Sequence, residues 1–284
     1  RKATSGKELM KYFGGQVFDL PIETALDKKF LVPYYYKPIF VYATDDEEKR
    51  FRKQSRIIVS YFKNGKCVDP ENLAKTLRNR LRIISMAQAK IDGIGDFVNQ
   101  IDEKDHVVVY CGDGRLYDDT GEEIKHIKKV KRVLNAMDYK ASQFTSQENM
   151  TERMELVDAF NKGEISALAA IRCLDEGINI PSIKSALILS SNDDYREFVQ
   201  RRGRILRLYD GKENAVIYDV VVLPSEDMTE WAKIELRRYR EYARLSINYD
   251  ETMDELDNLL IRYGLSEKDI AVYDYEEMED EIDE

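Results

Sequence analysis

From residue 106 onward the chain alternates short apolar runs with longer amphipathic ones, and few folds accommodate that rhythm. The apolar runs fall at 106–111 (HVVVYC), 165–171, 184–190 and 214–223, with a shorter segment at 141–145. Between them lie helical patterns: one through Ile124, Ile127, Val130, Leu134 and Met137, one over 151–161 and one over 194–206. Strands of this kind joined by helices build right-handed βαβ units on a mostly parallel sheet covered on both faces. The predicted fold class is α/β. In open sheets of this class ligands sit at the carboxyl ends of the strands, so functional residues are expected just after 111, 145, 171, 190 and 223.

The flanking regions add helices. Residues 22–29 read as a short helix and 34–43 as a strand, with Pro38 placing that strand at a sheet edge. Thr44 and Glu47 have the form of a capping box opening a helix to about residue 62. After Pro70, Leu73, Leu77, Leu81, Ile84 and Ile91 share one face of a single predicted helix, on which Arg78, Arg80 and Arg82 are read as solvated. Beyond Pro224, helices are predicted over 226–246 and 252–262. Trp231 is expected in the core, and Arg237, Arg238, Arg240 and Arg244 on a solvated basic stripe.

A net charge of −10 argues against a polyanionic partner only until its distribution is considered. Residues 270–284 hold eight acids and no Lys or Arg, which leaves the other residues at −2 and able to present basic stripes. Cys67, Cys111 and Cys173 are widely spaced, with no CxxC, which favours reduced cysteines in the cytoplasm over a disulfide framework or zinc site. His106 and His126 are too far apart to suggest a metal site. No apolar run approaches the ~20 residues that span a bilayer, and the first fifteen residues lack the apolar stretch of a secretory signal.

The most informative stretch is QRRGRILR at 200–207. On a helix Gln200, Arg204 and Arg207 project from one face at i, i+4 and i+7, while Arg201 and Arg202 point elsewhere. Two guanidiniums and an amide make a clamp suited to a polyphosphate, able to stabilise charge on a transferring γ-phosphoryl group. Gly203 inside that helix suggests a close approach to its backbone. Upstream, IRCLDEGINIP at 171–181 ends an apolar strand in a Gly-containing loop. Its two acids do not make a Mg²⁺-holding nucleotide site by themselves, because the chain contains no GxxxxGK[ST].

An arginine clamp without a phosphate loop resembles the second RecA-like domain of superfamily 2 helicases and translocases. LDEGINIP (174–181) looks like their motif V, QRRGRILR like motif VI, HVVVYCGDG (106–114) like motif IV, and FTS (144–146) like the short phosphate-contacting motif between them. TERMELVDAFNKGEISAL (151–168) and the opening passage through Thr44 also have counterparts there, so the resemblance covers residues 8–224. The motors of restriction systems and the excision-repair translocases are the most similar in feel.

The resemblance implies Arg204 and Arg207 as arginine fingers and Gln200 at the γ-phosphate or its attacking water. Glu176, Gly177 and Asn179 would lie beside the nucleotide, although many members have Asp at the position of Asn179. Gly112, Thr145, Ser146 and Arg172 would contact one tracking strand of nucleic acid, DNA by preference. ATP would be shared with an upstream RecA-like domain that also holds the Mg²⁺, and this chain, expected as a monomer, would be inactive alone. The implied organisation is a linker (1–33), the RecA-like domain (34–224, with a helical segment at 45–100), C-terminal helices (225–264) and an acidic tail (265–284). Restriction or repair subunits would be further partners. A non-catalytic α/β module that binds nucleic acid or an acidic protein is the alternative.

Overall fold

A computed structural model of the chain describes residues 20–101, 103–117, 122–171, 179–190 and 195–271. In chain order the elements are α1 (Ile22–Asp27), β1 (Tyr34–Tyr42), α2 (Asp45–Ser60), β2 (Phe62–Lys63), β3 (Lys66–Cys67), α3 (Pro70–Ser85) and α4 (Gln88–Gln100). There follow β4 (Val107–Tyr110), β5 (Arg115–Tyr117), β6 (Glu123–Lys125), α5 (His126–Ala136), β7 (Ala141–Phe144), α6 (Met150–Asn161) and β8 (Ala167–Ala170). The chain continues through β9 (Ser185–Ile188), α7 (Tyr195–Ile205), β10 (Ala215–Leu223), α8 (Thr229–Ala243), α9 (Tyr249–Tyr263) and a 3₁₀ turn (Glu267–Ile270).

Six strands form one parallel sheet in the order β1-β10-β9-β4-β8-β7. The α/β reading is thus realised, and β1 with Pro38 is an edge strand, where a missing N–H costs no ladder bond. Successive side chains of β4 go to opposite faces, as strand geometry requires. Val108 and Tyr110 join Tyr36, Leu168, Phe198, Leu236 and Tyr239 on one side. Val107 and Val109 join Ile94, Phe97, Val130, Leu134 and Val220 on the other. On that second face α4 lies very close to the sheet: a Cβ on Gly93 would stand 2.9 Å from Val220 Cγ1.

Three local expectations are revised. The helical run after Pro70 is two helices, broken at Met86 and Ala87, where Ala87 is extended (φ −58°, ψ 134°). The break has a partner: buried Glu47 completes the capping box of α2 by accepting the Thr44 N–H on Oε2 (2.9 Å), and accepts the Gln88 N–H opening α4 on Oε1 (2.9 Å). Ile124 sits in the β5–β6 hairpin, and the helix starts only at His126.

The third concerns α8, whose arginines are not a solvated stripe. Arg238 is 3% exposed and its guanidinium bridges both Glu235 oxygens (2.6 and 2.9 Å) and Asp219 (3.0 Å). Glu235 also accepts the Val222 N–H (2.6 Å) and pairs with buried Lys90 (3.6 Å), while Asp219 accepts the Tyr36 hydroxyl (3.0 Å). Burial and the nearby Arg238 charge lower the Lys90 pKa to about 8. Burial alone would raise Glu235, but the Arg238 and Lys90 charges outweigh it and hold its carboxyl below the usual range. Removing one member of such a cluster leaves an uncompensated buried charge, at a cost of about 3–5 kcal/mol. Trp231 is in the core as expected, against Phe51 (5.1 Å between rings).

His126 is fully buried under the loop after β4, and its Nδ1 accepts the Gly112 N–H (3.2 Å), which requires the neutral ring. Burial, then the charges of Lys90 and Lys129, lowers its pKa to about 4. Below pH ~6.5 the unfolded chain binds a proton that the folded one refuses until about pH 4, so stability falls with pH across that window. The expected loss from this residue is about 3 kcal/mol. Urea unfolding at pH 7 and pH 4.5 of the wild type and His126→Gln tests it: the variant should lose less stability on acidification, and equal losses would refute the assignment.

Candidate functional site

Because the strands run parallel, their carboxyl ends open along one edge. β4 leads into Cys111–Gly112–Asp113, β7 into Thr145–Ser146, β8 into Ile171, β9 into Leu189–Ser190 and β10 into Pro224. This is the edge on which the sequence placed function. Of the residues named for it, Arg172, Glu176 and Gly177 lie outside the described residues.

The four arginines of 200–207 divide between two tasks. Arg201 is 3% exposed, donates to the Ser190 carbonyl (2.8 Å), pairs with Glu197 (2.5 Å) and lies over the Tyr110 ring at 4.5 Å. Arg202 is fully buried, donates to the Glu241 carbonyl (2.5 Å) and faces the Glu241 carboxylate at 3.6 Å. These two hold α7 to the sheet edge and to α8. Arg204 and Arg207 are half-exposed, and Gln200 is exposed one turn before Arg204 on α7.

Arg207 does not continue the helical face that its spacing suggested. The helix ends at Ile205, and Arg207 forms an isolated antiparallel bridge with Leu31, beside a bond from the Val32 N–H to the Leu206 carbonyl (2.8 Å). The guanidinium donates to the Asn179 Oδ1. Burial, and then the charge of Arg204, lowers the Arg207 pKa. Gly203 needs no close neighbour: a Cβ there would meet nothing within 4 Å.

Sequence reasoning missed Lys212, which ties this end together. Its Nζ donates to the carbonyls of Ile205 (2.6 Å) and Arg207 (3.1 Å), supplying acceptor-rich helix-terminal groups with a cation. Burial lowers its pKa to about 8. Only the position of a lysine shortly after a helix end could have flagged it.

At the β4 and β7 loops the donors expected for a strand are partly engaged. The Gly112 N–H is used by His126, so this amide is not presented outward. The Thr145 N–H (2.6 Å) and hydroxyl (2.7 Å) both go to Glu148 Oε2. Burial would raise the Glu148 pKa, but these bonds outweigh it and hold the carboxyl below its usual range. Ser146 is exposed, in a cleft bordered by Arg82, Arg115, Lys125 and Lys128. The edge therefore offers two half-exposed arginines at one end and a basic cleft with short hydroxyl side chains at the other, an arrangement fitted to phosphates.

Comparison with known proteins agrees with this geometry. Residues 89–209 match the family described as "Helicase conserved C-terminal domain". The chain is 24% identical over 217 residues to the DNA 3'-5' translocase XPB2 of Sulfurisphaera tokodaii, covering 70% of this chain and 45% of that protein. Its fold is similar to the C-terminal part of the Fun30 ATPase domain (TM-score 0.50, 14% identity, 82% of this chain and 97% of that one). It is also similar to the Sulfolobus solfataricus SWI2/SNF2 ATPase core in complex with dsDNA (TM-score 0.51, 11% identity, 82% and 50%). The chain spans between 18% and 45% of the length of the curated relatives it matches. Residues 89–209 thus match a helicase C-terminal domain, the parallel α/β sheet is that of the solved ATPase domains above, and the chain resembles the second RecA-like domain of superfamily 2 helicases and translocases.

Proposed function

We propose that this chain is the C-terminal motor half of an ATP-dependent DNA helicase or translocase, with Arg204 and Arg207 as its arginine fingers. The observation that carries this reading is the placement of half-exposed Arg204 on the last turn of α7 and of Arg207 just past its end, where the Arg207 guanidinium donates to Asn179 in the loop before β9. Two half-exposed arginines at a sheet edge favour a polyanion between them and a facing surface. ATP would be bound between this domain and a first RecA-like domain, with Gln200 towards the γ-phosphate and Glu176, Gly177 and Asn179 beside the nucleotide. Mg²⁺, held by that other domain, would neutralise phosphate charge. By itself this chain, which has no GxxxxGK[ST], is expected to turn over no ATP. The similarity to a DNA translocase supports DNA as the track.

A finger acts on charge that develops in the transition state, so its loss falls on turnover more than on substrate binding. In the enzyme assembled with its first RecA-like domain, Arg207→Ala and Arg204→Ala should each lower kcat on the order of 10³-fold or more with KM little changed. Steady-state phosphate release measures both constants. A raised KM at near-normal kcat would make the residue a ground-state binder and refute the role. Arg201→Ala is expected to act through stability, since that side chain, paired with Glu197 on the same helix, ties α7 to the Ser190 carbonyl.

Strand contact is assigned to Ser146 and Thr145, with Arg172 a further contact. Glu148 holds the Thr145 donors, so a strand phosphate would compete with a carboxylate for them. Glu148→Gln should therefore tighten binding of a labelled single strand, read by fluorescence anisotropy. Unchanged or weakened binding would remove Thr145 from the track.

A further inference from the structure

Residues 49–82 contain eleven Lys and Arg against two acids, a local net charge of +9 in a chain of net −10. They span most of α2, the β2–β3 hairpin and most of α3, and they lie before the matched helicase domain at 89–209. The two helices pack as a pair through defined inner faces. Arg80 lies over the Phe51 ring at 5.2 Å with its Nη1 3.5 Å from Ser55 Oγ, and Thr76 Oγ1 is 3.4 Å from the Tyr61 hydroxyl.

With those residues turned inward, helical periodicity sends two cationic stripes outward. On α2 the stripe is Lys49, Lys53 and Arg56; on α3 it is Lys75, Arg78 and Arg82, at i, i+3 and i+7, and all six are exposed. The stripes differ in where they lead. Arg82 Nη2 donates to the Asp113 carbonyl at 3.2 Å, in the loop after β4. Arg78 and Arg82 line a cleft with Cys111, Asp113 and Ser190, and Arg82 also borders the cleft of Thr145 and Ser146. The α3 stripe is thus continuous with the basic wall of Arg115, Lys125 and Lys128 at the sheet edge. Lys49, Lys53 and Arg56 of the α2 stripe line neither of these clefts. Like charges a turn apart on a helix destabilise it, and among the described residues no ion pair offsets Lys75 or Arg78, so this face favours a polyanion as its counter-charge.

We infer that Lys75, Arg78 and Arg82 form a phosphate rail that carries a DNA backbone from the Thr145–Ser146 loop outward along α3, towards Lys63 and Lys66 of the hairpin. The inference rests on the strand-contact reading above and extends it to a surface outside the matched domain. Cations ~5–6 Å apart on one helix face can engage successive phosphates of one strand. Such contacts set position and affinity without reading bases.

The test compares two triple variants of equal charge change in the full chain: Lys75→Gln/Arg78→Gln/Arg82→Gln and Lys49→Gln/Lys53→Gln/Arg56→Gln. Anisotropy of a labelled DNA duplex with a single-stranded extension is followed over a salt series, with circular dichroism confirming folding and Arg78→Glu as a single-site check. Each phosphate contact contributes about 0.7–0.9 to the slope of log K against log salt, so the α3 triple should flatten it by roughly 2–3 and the α2 triple by less than 1. Equal effects of the two triples would reduce the stripe to general charge and overturn the rail. If Ser146→Glu weakens binding while the α3 triple does not, the rail falls and the strand-contact reading stands. A wild-type chain that binds no DNA would overturn both.

Discussion

Parallel pairing is the constraint on which the rest of this structure depends. It forces every strand to be followed by a crossover and brings every strand end to the same edge. The loops after β4, β7, β8 and β9 therefore meet although they are dispersed over some eighty residues of sequence. β4 is short and fully buried on both faces, and its four residues serve two separate halves of the core. A substrate site at that edge is a consequence of topology before it is a consequence of any side chain.

Charge is then used in two opposite ways. Lys90, Asp219, Glu235 and Arg238 are buried together, each meeting an opposite charge, and they fix α8 and α4 against β10. Arg201 and Arg202 do the same for α7. With those anchors in place, Arg204 stays half-exposed on the last turn of α7, and Arg207, just beyond it, donates to Asn179. Lys212 secures the carbonyls at the end of the same helix, so the backbone that carries both guanidiniums is held from behind.

Much of this was legible in residue order. The strand and helix alternation, the edge position of β1 and the capping box at Thr44 follow from local periodicity and side-chain chemistry, which act over a few residues. What was not legible depends on partners distant in sequence. Ile91 continues the apolar spacing of α3, yet Glu47, some forty residues earlier, supplies the acceptor that starts a new helix at Gln88. Arg238 reads as a surface charge until Asp219 is brought to it. Arg207 shares the helical spacing of Gln200 and Arg204, but its bridge to Leu31 takes it off the helix. The donors at Gly112 and Thr145 were recognised as groups, whereas their engagement by His126 and Glu148 is tertiary information.

The central claim is that Arg204 and Arg207 face the phosphoryl group in transfer. A structure of the enzyme, assembled with its first RecA-like domain and bound to ADP, aluminium fluoride and DNA, tests it most directly. The expected result has the Arg207 guanidinium released from Asn179, with both arginines within hydrogen-bond distance of the fluoride. A closed interdomain cleft with Arg207 still on Asn179 and neither guanidinium near the fluoride would contradict it.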